Sequence, residues 1–335
     1  MTTNHTNASK MVDTRAKMVD SRVNMVATAS QTVATTRLPR YRRAATEVNC
    51  VLTSRDIHIL QTVHSFRLLT SELIQMLAGG SAQGILRRLQ KLYHAGYLDR
   101  LRPQWREDGG SAKMVYGLTN QGVRVLQKEG LLERTTRTDW NSQNRGLHDF
   151  SIKHTLLVSR IRALLTAAAT PSSGVELAFW REGRELQDAI EVQLPDRYAR
   201  VPVAPDGAFG LRGAKGRAFY FVEADRGTMT IKRFTRKLLG YAEYFRQRRH
   251  VAKYRIDQFR VLTVTSSAKR ARNLVEAAAS ADALRRLRRM FLFTSEEKLS
   301  LAHPASVLET IWSVPGESAK ISLLGAPAKI QKEGG

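Results

Sequence analysis

Glu223 and Asp225 stand two residues apart at the end of the apolar run AFYFVEAD, and that spacing raises the first chemical question. Side chains alternate along an extended strand, so Phe219, Phe221, Glu223 and Asp225 share one face and the two acids lie side by side. Neighbouring carboxylates on an apolar surface are costly unless a cation compensates them. Asp206, set between a proline and a glycine, would start an adjacent strand and bring a third carboxylate. Hard oxygen ligands grouped in this way suit Mg²⁺ or Mn²⁺, and on a phosphodiester they imply metal-assisted hydrolysis. Lys237 and Tyr241, four residues apart on the next helical segment, could point at the same strand end. There the lysine would stabilise charge developing on phosphorus or orient the attacking water. The plainer alternative is a set of salt bridges from Glu223 and Asp225 to Lys237, Arg233 or Arg226.

A second constellation is cationic. Gln83, Arg87, Arg88 and Lys91 follow one another at offsets of four, one and three, which gathers them on one face of a helix. Arg100, Arg102, Arg106 and Lys113 fall in the hairpin that follows. Helix cations and hairpin cations together suit base or phosphate contacts from the first and backbone contacts from the second. Other chemistries lack their signatures: there is no glycine-rich phosphate loop, no His-X-X-X-His pair and no Gly-X-Ser-X-Gly elbow.

The surrounding pattern supplies elements to position both sets. From Leu52, Thr53 and Asp56 open a helix carrying Ile57, Leu60 and Val63. Thr70 caps a second helix, and a third runs from Ser81 to about His94 until Gly96 stops it. Two extended runs around Gly109-Gly110 read as a β-hairpin, and Thr119 caps a closing helix. That order is a winged helix-turn-helix over residues 50–130, whose third helix would enter the major groove of double-stranded DNA. Residues 131–147 read as a linker that Trp140 could pin to one domain. Residues 148–313 alternate helix, three strands, helix, strand, helix and a short strand, an α/β domain with a mixed sheet, so the chain as a whole is α+β.

The ends are of another kind. Residues 1–49 hold three copies of a Met-Val heptad, at Met11, Met18 and Met25, with one apolar pair per repeat. That is too thin for a coiled coil and reads as a disordered basic arm, either a DNA-tracking tail or an inert linker. The segment beyond Pro315 reads as a disordered tail. The basic cluster Arg285, Arg286, Arg288 and Arg289 extends a DNA track or forms a solvated helix end.

Composition narrows the class. With 54 Lys and Arg against 30 Asp and Glu, a net charge of +24, the chain of 335 residues is far more basic than solubility requires. A polyanionic partner is expected, nucleic acid before an anionic membrane, since no amphipathic helix with an aromatic face is evident. The single cysteine, Cys50, excludes a disulfide scaffold and points to a reducing cytoplasm. No apolar run approaches the length of a membrane span.

Several segments match a known family. LTSRDIHILQTVHSFRLLTSELIQML, RRLQKLYHAGYLDRL and VYGLTNQG resemble the winged-helix half of the plasmid replication-relaxation proteins. HDFSIKHTLL, APDGAF, FYFVEADRGT and KLLGYAEYF resemble their second half, so the similarity covers about residues 50–265. The resemblance implies a DNA-binding protein of a plasmid or integrative element, acting in replication, relaxation or mobilisation; the rival reading is a non-catalytic regulator whose second domain forms a homodimer or recruits a relaxase or replication initiator. The second half is also similar to the PD-(D/E)XK nuclease fold, with Asp206 and Glu223 in its two acid positions. The lysine of that motif is replaced by Asp225. Either Lys237 substitutes for it, or the domain binds metal weakly and serves a non-catalytic regulator that dimerises or recruits.

Overall fold

The structure is a computed structural model that describes residues 39–45, 49–101, 113–135, 139–193, 197–214 and 216–324. The heptad repeats, the tip of the predicted hairpin with Arg102 and Arg106, and the last residues lie outside the described ones.

The chain is a mixed α/β protein. Its first half comprises α1 (Ser54–Phe66), β1 (Leu68–Thr70), α2 (Ser71–Ala78), α3 (Ala82–His94), β2 (Leu98–Arg100), β3 (Val115–Leu118) and α4 (Asn120–Lys128). Each helix starts where a short hydroxyl side chain can accept an orphan backbone N–H: Thr53, Thr70, Ser81 and Thr119 all do so. Asp56 completes a capping box with Thr53. Gly96, at φ +84°, turns the chain out of α3 into β2, a conformation that a β-carbon would strain. β1, β3 and β2 form a three-stranded antiparallel sheet, and Ile59, Leu60, Leu73, Ile74, Ile85, Leu89 and Leu118 fill the core beneath it.

The described part of the expected linker is structured. It holds α5 (Trp140–Arg145), in which the amide of the buried Asn144 donates to Leu118 O at 3.0 Å and accepts from Arg67 at 2.8 Å. Arg67 lies 4.6 Å over the Trp140 ring, so the tryptophan pins this segment to the first half.

The second half begins with α6 (Asp149–Ala168), then β4 (Glu176–Arg181), β5 (Asp188–Gln193), β6 (Tyr198–Val203), β7 (Gly207–Gly213), β8 (Gly216–Asp225), α7 (Ile231–Arg246), α8 (Arg249–Tyr254), β9 (Arg260–Thr265), α9 (Ala268–Ser280) and β10 (Phe291–Ser295). Five strands form a mixed sheet in the order β10-β9-β8-β7-β4, parallel across β8, β9 and β10 and antiparallel across β8, β7 and β4. Period-two alternation sorts the two faces of β8. Tyr220, Val222 and Ala224 pack under α6, while Phe221 packs under α7 and α9.

Four sequence expectations change here. Beside the three strands expected before the next helix, Asp188–Gln193 and Tyr198–Val203 form a separate ribbon, β5-β6. The cluster Arg285, Arg286, Arg288 and Arg289 is not a helix end, because α9 ends at Ser280 and short turns carry the chain on to β10. Residues 39–45, assigned to the disordered arm, lie against the first half: Arg43 donates to Tyr93 O and Leu98 O, both at 3.1 Å. Residues 316–324, assigned to the disordered tail, pack on the second half: Leu323 is buried and its carbonyl accepts from Tyr220 at 3.1 Å.

The halves share α6. Ser159 Oγ donates to Phe66 O at 2.9 Å, Ala163 joins the first core, and Leu157, Ile161 and Leu165 join the second. No described helix is long and apolar enough to cross a membrane.

Candidate functional site

Two sites result, one exposed and one buried. On α3, Gln83, Arg87 and Lys91 sit one helical turn apart along an exposed stripe, with Leu86 exposed beside them. None of the three forms a side-chain hydrogen bond or ion pair with another described residue.

The other predicted cations are engaged. Arg88 reaches inward to Asp56, which is fully buried, donating from Nε at 2.7 Å and pairing through Nη2. Burial opposes the Asp56 charge, yet the bonds from Arg88 and Thr53 outweigh it and hold the carboxyl below its usual range. Helix spacing correctly placed Arg88 on α3 but not its direction: it lies on the flank turned toward α1. Arg100 stacks 4.3 Å over Tyr93 and donates to Arg40 O at 2.7 Å. Lys113 pairs with Glu72. Of the seven residues expected to meet DNA, Gln83, Arg87 and Lys91 have no side-chain partner among the described residues, Arg88, Arg100 and Lys113 are occupied, and Arg102 lies outside the described residues.

The carboxylates lie at the end of the sheet where β8 runs out and β7 begins. Antiparallel pairing sets Gly207 opposite Val222, which brings Asp206 beside β8, where its Oδ2 accepts the Ala224 N–H at 2.8 Å. Asp206 Oδ1 is 3.3 Å from His154 Nε2 on α6. Glu223, 2% exposed, accepts from Lys237 on one oxygen and from the Tyr241 hydroxyl on the other. The four-residue spacing of Lys237 and Tyr241 therefore does aim both at this strand end, as the sequence suggested.

Asp225 is the correction. It shares the face of Glu223, but Arg270 from α9 holds both its oxygens, at 2.8 and 3.2 Å, and that guanidinium also donates to Met229 O at 2.6 Å. The two acids are thus paired with different helices instead of converging on one ion. Sequence reading missed Arg270 and His154. The only signal for His154 was its place in the HDFSIKH segment, and Arg270 had none.

The electrostatics follow from burial. Desolvation pushes the Glu223 carboxyl up to about 7, with Asp206 adding to it and Lys237 opposing it. His154 is raised by its bond to Asp206, and Asp206 is lowered because His154 and Lys237 outweigh its own burial. Lys237 is raised: burial works against its charge, but Glu223 and Asp206 both face it and prevail.

As arranged, these side chains do not fit a resident Mg²⁺ or Mn²⁺. All six oxygens of Asp206, Glu223 and Asp225 already face an N–H, a hydroxyl or a cation. No group of three or more His, Cys, Asp or Glu among the described residues is placed to hold a metal ion.

The structure is thus a two-part α/β protein with an exposed cationic helix face on one part and, on the other, a sheet-end cluster of Asp206, Glu223 and Asp225 that is internally paired. The replication-relaxation family model matches residues 60–262, more than half of the chain and both halves of the fold. The chain belongs to the replication-relaxation family, which supports a role in plasmid replication or relaxation. No curated protein and no solved structure matches it.

Proposed function

We propose that this protein is a cytoplasmic DNA-binding factor of a plasmid or integrative element, in which the first half is a winged helix that docks on double-stranded DNA and the second half is a nuclease-like scaffold used without cleavage. The observation that carries this reading is the α3 stripe of Gln83, Arg87 and Lys91, which stays free while the neighbouring Arg88 is consumed by Asp56. A helix that presents an amide and two cations at one-turn spacing can reach base edges and phosphates along a major groove. The net charge of +24 supplies the long-range attraction. Asp206, Glu223 and Asp225 are each engaged internally, by His154, Lys237 and Arg270, so they offer no ready cation site. Recruitment of a relaxase or initiator, or self-association, is the role left to that half.

Supercoiled plasmid incubated with the full chain, with and without Mg²⁺ or Mn²⁺, provides the test. A gel shift that weakens with salt, persists without metal and is lost in the Arg87→Glu/Lys91→Glu protein is expected. Metal-dependent nicking that disappears in Glu223→Gln would overturn the non-cleaving part and return the second half to catalysis.

A further inference from the structure

A cavity of about 300 Å³ opens on the α7 side of the second sheet, reaching from Phe219 on β8 to Arg181, which pairs with Ala208 two residues from Asp206. That volume is at the lower end of small-molecule sites, roughly 300–1,000 Å³. Three aromatic rings line it: Phe179 of β4, Phe219 of β8 and Tyr254 at the end of α8. Phe219 is central, with the other two ring centroids each 5.5 Å away.

The rings are held by the backbone. Phe179 pairs with Gly210 just after an irregularity in the β4-β7 register, and its ring lies against that glycine. A β-carbon at Gly210 would come within 2.5 Å of the ring, so the bare backbone is what lets Phe179 lie there.

The rim is cationic. Arg181 and Arg255 are exposed, and neither forms an ion pair with another described residue. Arg255 sits in the left-handed region at φ +55°, where it closes α8 by donating its N–H to Val251 O at 3.0 Å. Lys253 is occupied, donating to Gln187 O at 2.7 Å. The nearby Asp188 is likewise taken, by Arg249 at 3.0 Å and Tyr244 at 2.9 Å.

Three rings with two guanidiniums that no described acid pairs, Arg181 also lying 5.8 Å over the Phe179 ring, select a ligand that is flat, aromatic and anionic. We infer that this cavity takes one unpaired nucleotide of a DNA strand, its base against Phe219 and its phosphate on Arg181 and Arg255. An aliphatic anion would leave the rings unused, and a neutral aromatic would leave the guanidiniums unused. A paired base cannot enter without leaving its stack, so the cavity would discriminate single-stranded from duplex DNA. The inference rests on the DNA-binding reading above but uses a different surface. It gives a factor that docks on a duplex a second contact for the strand exposed when that duplex opens.

Fluorescence anisotropy on the full chain tests it, with a short oligothymidylate, an abasic oligonucleotide of equal length and a duplex as probes. The Phe219→Leu and Arg181→Glu/Arg255→Glu proteins should each bind oligothymidylate roughly tenfold more weakly than the parent and bind the duplex unchanged. The abasic strand should bind the parent as weakly as oligothymidylate binds Phe219→Leu. The charge-reversal pair changes only exposed residues, so its result stands even if Phe219→Leu fails to fold. Equal losses on oligothymidylate and duplex would overturn the inference by making the cations a general phosphate track. So would unchanged oligothymidylate binding, and so would a site that takes free thymidine monophosphate but not the strand. In each of those cases Arg87→Glu/Lys91→Glu still reports separately on the α3 reading.

Discussion

The two halves treat their cations in opposite ways. On α3, Arg87 and Lys91 project free into solvent one turn apart, whereas in the second half Lys237 and Arg270 are folded back onto Glu223 and Asp225. An unpaired cation on a helix face keeps its full charge for a partner and contributes little to stability. A cation laid on a buried carboxylate does the reverse: it is spent on the fold, and losing it leaves an acid that burial has already made costly. Arg87 and Arg88, adjacent in sequence, fall on either side of that division. Residue type therefore does not tell a ligand-binding cation from a structural one; the carboxylate that it can reach does.

That contrast can be broken most forcefully at α3 itself. Arg88→Ala strands the fully buried Asp56 and is expected to cost about 3–5 kcal/mol in urea unfolding, while Arg87→Ala should stay within about 0.5 kcal/mol of the parent and weaken only DNA binding. Equal stability of the two proteins would erase the distinction.

Glu223 offers the next largest effect. Its carboxyl is raised from 4.5 to about 7 in the folded chain, so the folded state holds the proton more tightly than the unfolded one. Its contribution is complete below about pH 4.5 and is lost as pH rises through about 7, a change of about 3 kcal/mol. His154, also raised, acts in the same direction as pH passes above its folded value. Melting temperature should accordingly fall over that window, and Glu223→Gln should flatten the fall. A parent protein whose melting temperature rises between pH 5 and 7 would show the buried acid to be fully ionised by its partners.

The smallest effect concerns the joint between the halves. Ser159→Ala removes the hydrogen bond from α6 to Phe66 and should lower stability by about 1 kcal/mol, with a single unfolding transition retained. Two separated transitions would mean that the halves are less firmly joined than this shared helix implies.

Much of the architecture was legible because it rests on local rules. Thr53, Thr70, Ser81 and Thr119 announce helix starts through hydroxyls that accept backbone N–H groups, and Gly96 announces a helix end. The apolar strands β8, β9 and β10 follow from runs that must be buried on both faces. The ribbon β5-β6 was hidden because its alternation is interrupted by Pro and Arg, and α5 because its residues are polar and its anchors, Leu118 and Arg67, are distant in sequence. The ordered tail was hidden for a similar reason: Leu323 is held by a tyrosine about a hundred positions earlier.

At the candidate site the same boundary applies. Sequence alone determined the family, the mixed α/β class, the basic charge, the face shared by Glu223 and Asp225, and the pairing of Lys237 with Tyr241 on one side of a helix. All of these depend on composition or on spacing within one element. Only the tertiary structure decided that Arg88 belongs to Asp56, that Arg270 takes Asp225 away from Glu223, and that His154 reaches Asp206 from the opposite layer. Those pairings join elements far apart in the chain. Periodicity gives the direction in which a side chain leaves its own helix or strand, and the packing of layers determines what it meets there.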